Sequence, residues 1–313
     1  MKRYALLVSV LILLATTVFA VFQYTNSLTY KVQKAVRGKN CEVRAAVICK
    51  DKIWTFNNEK TPLMSVFKYF IALKVLDKIE KENLSLDDKI FVTETMISRT
   101  TYSPMLKRYT KTPFKISVSD LIKYMVSESD NNATDILLSY VGGITVLQRY
   151  LTMFEPVDIK ISADEKMMED DIQTQYLNTA KPLDVIGLMR LMREDKGYFS
   201  YAVFAEMFEK SFLSDEHKKF LDKIMIETVT GEDKIKAGLP KDAVFGHKTG
   251  MSSRKPDGVR IAENDAGFVI LPNGETYYIA VFVAESKMSD SENHALAAQV
   301  SKIVYEYITA QNL

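Results

Sequence analysis

Apolar and polar positions change their spacing three times along the chain. Residues 42–50 and 53–56 are short apolar runs flanking Asp51-Lys52, a pattern that predicts a β-hairpin. From residue 65 to about 240 the spacing is mostly helical. The strongest predicted helix covers 65–82 and stops before Asn83, with others over 117–127, 133–140, 145–154, 182–193 and 215–228. Ser117 and Asp120, three apart ahead of Leu121-Ile122, supply a capping signal. Residues 157–179 break the pattern, being acidic and polar with no helical period. A connection of that length is uncommon and often functional. Past Pro240 strand spacing returns over 244–247, 266–271 and 276–284, the last two joined by the turn Pro272-Asn273-Gly274. An amphipathic helix over 292–309 closes the chain, with Leu296, Val300, Ile303, Val304 and Tyr307 on one side.

Strands at both ends and helices between them predict an α/β fold of the α+β sandwich kind. Its antiparallel sheet is built from both chain ends and flanked by helices, with an all-helical lobe inserted in the middle. The expected division is one domain over 40–311, with a sheet lobe of about 40–64 and 215–311 and a helical lobe of about 65–214. A cleft between lobes is the default place for a site.

Composition removes several function classes. The 313 residues carry 41 Lys+Arg against 40 Asp+Glu, a net charge of +1, which gives no electrostatic case for binding nucleic acid. Twelve Gly and eight Pro are too few for a low-complexity chain. At the start, Lys2-Arg3 precede sixteen uncharged residues, and Ala20 offers a signal peptidase a small residue. Residues 1–20 therefore read as a secretory signal, with 21–39 as a linker. The alternative is an uncleaved anchor, because the uncharged stretch is long enough to span a bilayer. Either reading puts the body of the protein outside the cytoplasm. Cys41 and Cys49 bracket a predicted strand about 26 Å long, beyond disulfide reach, so two free thiols are expected. His217, His247 and His294 form no metal motif.

Three short motifs carry the chemistry. Ser65-Val66-Phe67-Lys68 is Ser-x-x-Lys, a spacing that chance supplies about twice in this composition, and it occurs twice. Ser252 to Lys255 runs into Pro256 and reads as a loop. Ser65, by contrast, opens a helix that is apolar on nearly every side, where positions three apart share a face. A lysine pressed into such a helix finds a partner or loses its proton, and a Lys68 that loses it could deprotonate Ser65. The bland alternative is a snorkelling lysine. Ser129-Asp130-Asn131 has a chance expectation of about 0.05 and could otherwise be a plain helix cap. Lys248-Thr249-Gly250, at roughly 0.08, could otherwise be an edge strand running into a turn.

Ser-x-x-Lys, Ser-Asp-Asn and Lys-Thr-Gly in this order resemble the pattern of serine β-lactamases and penicillin-binding proteins. Over about residues 40–310 the chain is similar to class A β-lactamases, which implies the β-lactamase/transpeptidase-like fold. Thr101-Tyr102-Ser103-Pro104 resembles the family's Tyr-Ser-Pro, Val141-Gly142-Gly143 its glycine turn, and 157–179 its Ω-shaped loop. Glu165 then falls where that loop carries a catalytic carboxylate. Two positions depart from the common type. Glu169 replaces the Asn that helps hold the hydrolytic water, and Asp135 replaces an Asn that bonds the loop. A carboxylate at 135 is expected to repel Glu165 unless one of the two is protonated. These departures, with Gln175-Tyr176-x-Asn178 and Asn264-Asp265, resemble the Bacteroides-type cephalosporinases and extended-spectrum enzymes.

The resemblance implies roles. Ser65 would open the β-lactam ring of a penicillin or cephalosporin, its proton going to Lys68 or, through a water, to Glu165. Ser129 would protonate the departing nitrogen. Lys248 and Thr249 would bind the substrate carboxylate, with Lys234 as the nearest match to the family's arginine. The N–H groups of Ser65 and Met251 would form the oxyanion hole, Asn131 would meet the substrate's side-chain amide, and Tyr102 would wall the cleft. Glu165 would activate the deacylating water. The implied protein is a periplasmic monomer with a small-molecule substrate, no cofactor, no metal, no nucleic acid and no obligate protein partner. A D,D-peptidase or an acylated sensor domain would share the three motifs.

Overall fold

The computed structural model describes residues 27–154, 156–196 and 212–311. The signal-like segment 1–20 lies outside the described residues. Within the stretch read as a linker, Leu28–Val36 forms a helix, α1, capped by the Ser27 side chain. The predicted hairpin is present as β1 (Glu42–Cys49) and β2 (Lys52–Phe56).

Chain reversal and capping follow local chemistry. A 3₁₀ turn, Met64–Phe67, leads into α2 (Lys68–Glu82). This helix ends at Asn83, which takes the left-handed conformation that asparagine tolerates. Ser117 caps α3 (Val118–Ser127) by accepting from the Asp120 N–H, as the Ser/Asp spacing predicts. Asp130 caps α4 (Asn131–Tyr140), and α5 spans Ile144–Thr152. Residues 157–179 are not structureless: they hold a short helix, Glu165–Asp170, and a 3₁₀ turn, Ile172–Tyr176. Next come α6 (Pro182–Glu194) and α7 (Asp215–Ile226). Three long strands follow, β3 (Val244–Met251), β4 (Arg260–Ile270) and β5 (Thr276–Ser286), and α8 (Asp290–Ala310) closes the fold with a Ser289/Glu292 capping box.

The five strands make one antiparallel sheet in the order β2-β1-β5-β4-β3, so its members come from both ends of the chain. Alternate side chains face opposite layers, as the two-residue period requires. Ala45, Val47, Tyr277, Ile279 and Val281 pack with Leu28 and Val32 of α1 and Val300 and Val304 of α8. Ala46, Ile48, Phe268, Ala280 and Phe282 join the large core with α2, α3 and α6. Although it falls in the stretch read as the helical lobe, α6 lies on the sheet, with the Arg193 guanidinium 4.2 Å from the Phe268 ring centroid. Cys41 and Cys49 are both free thiols.

Candidate active site

The N-terminal turn of α2 meets the end of β3 where neither backbone has room to move. Gly250 has no side chain, and a Cβ there would lie 2.6 Å from the Leu63 carbonyl and 3.1 Å from the Ser65 nitrogen. Glycine therefore lets β3 touch the backbone of Ser65. The same close approach explains why Lys248-Thr249-Gly250 lies inside the strand rather than ending it. Asn264, fully buried on β4, donates its amide to the carbonyls of Pro62 (2.7 Å) and Leu63 (3.1 Å) and pins the chain entering the turn. Met64 has φ of 48°, a strained value for a residue with a side chain, directly before Ser65.

Lys68 is 0 % exposed and is partnered rather than snorkelling. Its Nζ donates to the Ser129 carbonyl at 2.6 Å and to Asn131 Oδ1 at 2.6 Å, and lies 3.0 Å from Glu165 Oε1. Ser129 Oγ is 3.4 Å away. Lys248, also 0 % exposed, donates to Ser129 Oγ at 2.9 Å and to the Thr249 carbonyl at 2.8 Å. Burial, and after it the positive charge of Lys68, hold Lys248 well below the usual lysine range. Ser129 has φ of 60°, the second strained residue of the site. Its neighbour Asp130 is structural, because the buried carboxylate accepts from Ser103 Oγ, the Met105 N–H and the Ala133 N–H at 2.7, 2.7 and 2.8 Å. Those bonds tie the segment carrying Tyr102 to the start of α4. Asn131 donates its amide to Thr101 Oγ1 at 2.9 Å, so both ends of its side chain are engaged.

Ser65, Ser129, Asn131, Glu165, Lys234, Thr249 and Met251 line one cleft of about 650 Å³, walled by Tyr102, which is 58 % exposed. Residues 31–308 match the model of the β-lactamase enzyme family. A β-lactamase of Bacteroides uniformis is 36% identical over 98% of this chain and 99% of its own length. The extended-spectrum β-lactamase PER-1 of Pseudomonas aeruginosa is 31% identical over 96% of this chain and 93% of its own. A crystal structure of a class A β-lactamase from Bacteroides cellulosilyticus superposes with a TM-score of 0.83 at 39% identity, covering 91% of this chain and 99% of that one.

The chain belongs to the class A serine β-lactamases. It is a hydrolase of β-lactams, an activity of antibiotic resistance. Within this β-lactamase the loop over 157–179 is tied down along its length. Asn178, fully buried, accepts the N–H groups of Ser162 (2.7 Å) and Ala163 (2.9 Å) and donates to the Ala163 carbonyl (2.8 Å). Gln175 bridges the loop to the segment after β3, donating to the Met168 carbonyl at 3.0 Å and accepting the Ser253 N–H at 3.1 Å.

The expectation that Asp135 repels the loop is corrected. Its two oxygens accept the backbone N–H groups of Glu165 (3.0 Å) and Lys166 (3.1 Å), so it anchors the start of the Glu165–Asp170 helix. A carboxylate suits a helix N-terminus, where N–H groups are unpaired and the dipole is positive. Burial, and more weakly the charge of Glu165, still push Asp135 up to about 7. Glu169 lines the same cleft, but its carboxylate is held by Thr100 Oγ1 at 2.9 Å, whereas that of Glu165 faces Lys68. Lys234 is buried, with Nζ 2.5 Å from Glu263 Oε1. Glu263 and His294 line the cleft too, and sequence reading passed over both. Glu263 sits on a continuous buried strand and His294 on a surface helix, so no spacing marks them as a pair.

Proposed function

We propose that Ser65 attacks the β-lactam carbonyl and that Glu165 serves as the base for both half-reactions. One observation carries this reading: Ser129 O, Asn131 Oδ1 and Glu165 Oε1 surround Lys68 Nζ. Two of these oxygens accept hydrogen bonds from Lys68 and the third is ion-paired with it, which sets the Glu165 carboxylate in the same cleft as Ser65 as the proton acceptor of the site. In acylation the Ser65 hydroxyl proton passes through a water to Glu165, Ser65 Oγ bonds to the carbonyl carbon, and the lactam C–N bond breaks. Ser129 gives its proton to the departing nitrogen. Lys248, destabilised as a cation and bonded to Ser129 Oγ, is suited to replace that proton. In deacylation Glu165 takes a proton from water, which attacks the ester and releases Ser65.

The N–H groups of Ser65 and Met251 form the oxyanion hole, each donor contributing about 3 kcal/mol to the transition state. Lys248 and Thr249 receive the substrate carboxylate, with Lys234 as a second cation behind them. Asn131 and Tyr102 border the space for the acyl side chain. The cleft of about 650 Å³ supports a bulky acyl side chain such as a cephalosporin can carry. The catalytic domain, read over 40–311, takes in α1 as well, since Leu28 and Val32 belong to the core under the sheet. Among the described residues no helix is long and apolar enough to cross a membrane. The basic start and apolar run of residues 1–20 support export to the periplasm, where the enzyme acts as a monomer.

Ser65→Ala removes one oxygen and should abolish both turnover and any covalent adduct with a penicillin, while the chain stays folded. An adduct of full occupancy on that variant would assign the nucleophile elsewhere.

A further inference from the structure

Three charged side chains from three elements converge on the rim of the cleft beside Thr249. Lys234 precedes the 3₁₀ turn Ile235–Gly238, Glu263 lies on β4, and His294 lies near the start of α8. The Lys234 stem packs beside Gly231, where a Cβ would lie 3.3 Å from Lys234 Cδ and 2.5 Å from Thr249 Cγ2. Glu263 is 2 % exposed and holds the centre. Its Oε1 is 2.5 Å from Lys234 Nζ and 3.2 Å from His294 Nε2, and its Oε2 is 3.7 Å from Arg260 Nε. Arg260 is itself drawn towards Asp290 at 2.6 Å, which also pairs with Arg254. The other ring nitrogen of His294, Nδ1, is 2.7 Å from Asp233 Oδ2.

A neutral imidazole has one N–H and one lone pair. Here Nδ1 is hydrogen-bonded to Asp233 and Nε2 lies at ion-pair distance from Glu263, so the flanking carboxylates favour the imidazolium. Hydrogen bonding to Glu263 accordingly raises His294 above the usual histidine range; burial opposes the rise and Asp233 adds to it. Glu263 is thus contested. A protonated His294 supplies part of its counter-charge, and a neutral one leaves Lys234 and Arg260 to supply all of it.

Resting on the reading of Lys234 as a second cation for the substrate carboxylate, we propose that His294 is a positioning residue that sets how much of the Lys234 charge reaches an anionic β-lactam. The imidazolium holds Glu263 between itself and Arg260 and leaves Lys234 available to the substrate. The neutral ring cedes Glu263 to Lys234, and the rim loses its attraction for the carboxylate. The effect falls on substrate binding, since none of these groups touches the reacting atoms.

The test compares parent, His294→Gln, Glu263→Gln and Lys234→Ala from about pH 6 to about pH 9, through the window where histidine titrates. Each is assayed with a cephalosporin carrying a free carboxylate and with its methyl ester. Relative to the parent, His294→Gln should raise KM for the free acid about fivefold at the acid end and converge with it at the alkaline end. The ratio of the two kcat values should stay flat. Glu263→Gln, which frees Lys234, should keep KM low at every pH, and the ester should report none of these changes. Proton NMR gives a second readout, because the chain has only three histidines. The His294 resonance should titrate above the ordinary histidine range and return to it in Glu263→Gln. A His294→Gln curve that tracks the parent, or an equal change with the ester, overturns the role of His294. If Lys234→Ala leaves KM for the free acid unchanged, the fault lies with Lys234 as a carboxylate ligand. A raised KM there with a parent-like His294→Gln sinks the His294 proposal alone.

Discussion

Beneath the floor of the cleft, Lys68 and Lys248 are both fully buried and both reach Ser129, yet they are satisfied differently. Lys68 has a carboxylate, Glu165, at 3.0 Å, whereas the hydrogen bonds of Lys248 go to a hydroxyl and a carbonyl, both neutral. On the rim, Lys234 faces a carboxylate that His294 and Arg260 also claim. Lys248, with neutral partners, is pushed well below the usual lysine range by burial, while Lys68 sits against its own carboxylate and Lys234 against a shared one. The floor is held by backbone packing that leaves no alternative arrangement. Ion pairs between distant segments hold the rim, and those respond to pH.

Removing the packing that defines the floor should have the largest effect. Gly250→Ala puts a methyl 2.6 Å from the Leu63 carbonyl and must push β3 away from Ser65. We expect kcat/KM to fall about a hundredfold, the scale of a lost oxyanion donor, and the thermal midpoint to fall as well, since the clash is with backbone. Activity within threefold of the parent would show that the two backbones need not touch. On the loop, Glu169→Gln keeps an oxygen for the Thr100 hydroxyl and should alter deacylation by less than about tenfold, or ~1.4 kcal/mol of barrier. A larger loss in stopped-flow traces would bring Glu169 into the chemistry.

A separate effect concerns stability rather than rate. Asp135 titrates near 7 in the folded chain against an ordinary value of 3.8. A raised carboxyl contributes fully below the unfolded value, and its contribution is lost as pH rises through the folded one. Three units correspond to a loss on the order of 4 kcal/mol between about pH 4 and pH 7. Asp135→Asn lacks that titration, so it should gain on the parent in urea midpoints as pH goes from about 5 to about 8. A difference that ignores pH would contradict burial as the cause.

How much of this was legible in the sequence follows the same division. Ser65 and Lys68 stand three apart where the 3₁₀ turn runs into α2, and Ser117 sits three before Asp120 as the cap of α3. Signals of this local kind survive into the fold because backbone geometry alone converts them. The end of β3 was misread because Gly250 looks like a turn residue, while its use is close approach. Helix α1 went unread because only Leu28 and Val32 are buried on it, too short an apolar stripe to mark a helix. Asp135 was read as a repelling charge because side-chain charge is visible in a sequence and the backbone N–H groups it accepts are not. Glu263 and His294 stand 31 residues apart, and only β4 and α8 together bring them within 3.2 Å.

The assignment of Glu165 as the base that completes turnover is tested most directly by trapping. Glu165→Gln keeps the size of the side chain and removes the base. Because the same base serves acylation, the adduct forms slowly; after exposure to a cephalosporin long enough to complete it, mass spectrometry should find Glu165→Gln carrying one adduct on the peptide containing Ser65, persisting for minutes or longer, while the parent and Glu169→Gln return to unmodified mass. A Glu165→Gln chain that clears its adduct as fast as the parent, with Glu169→Gln the one that stalls, would contradict the account and move the base to Glu169.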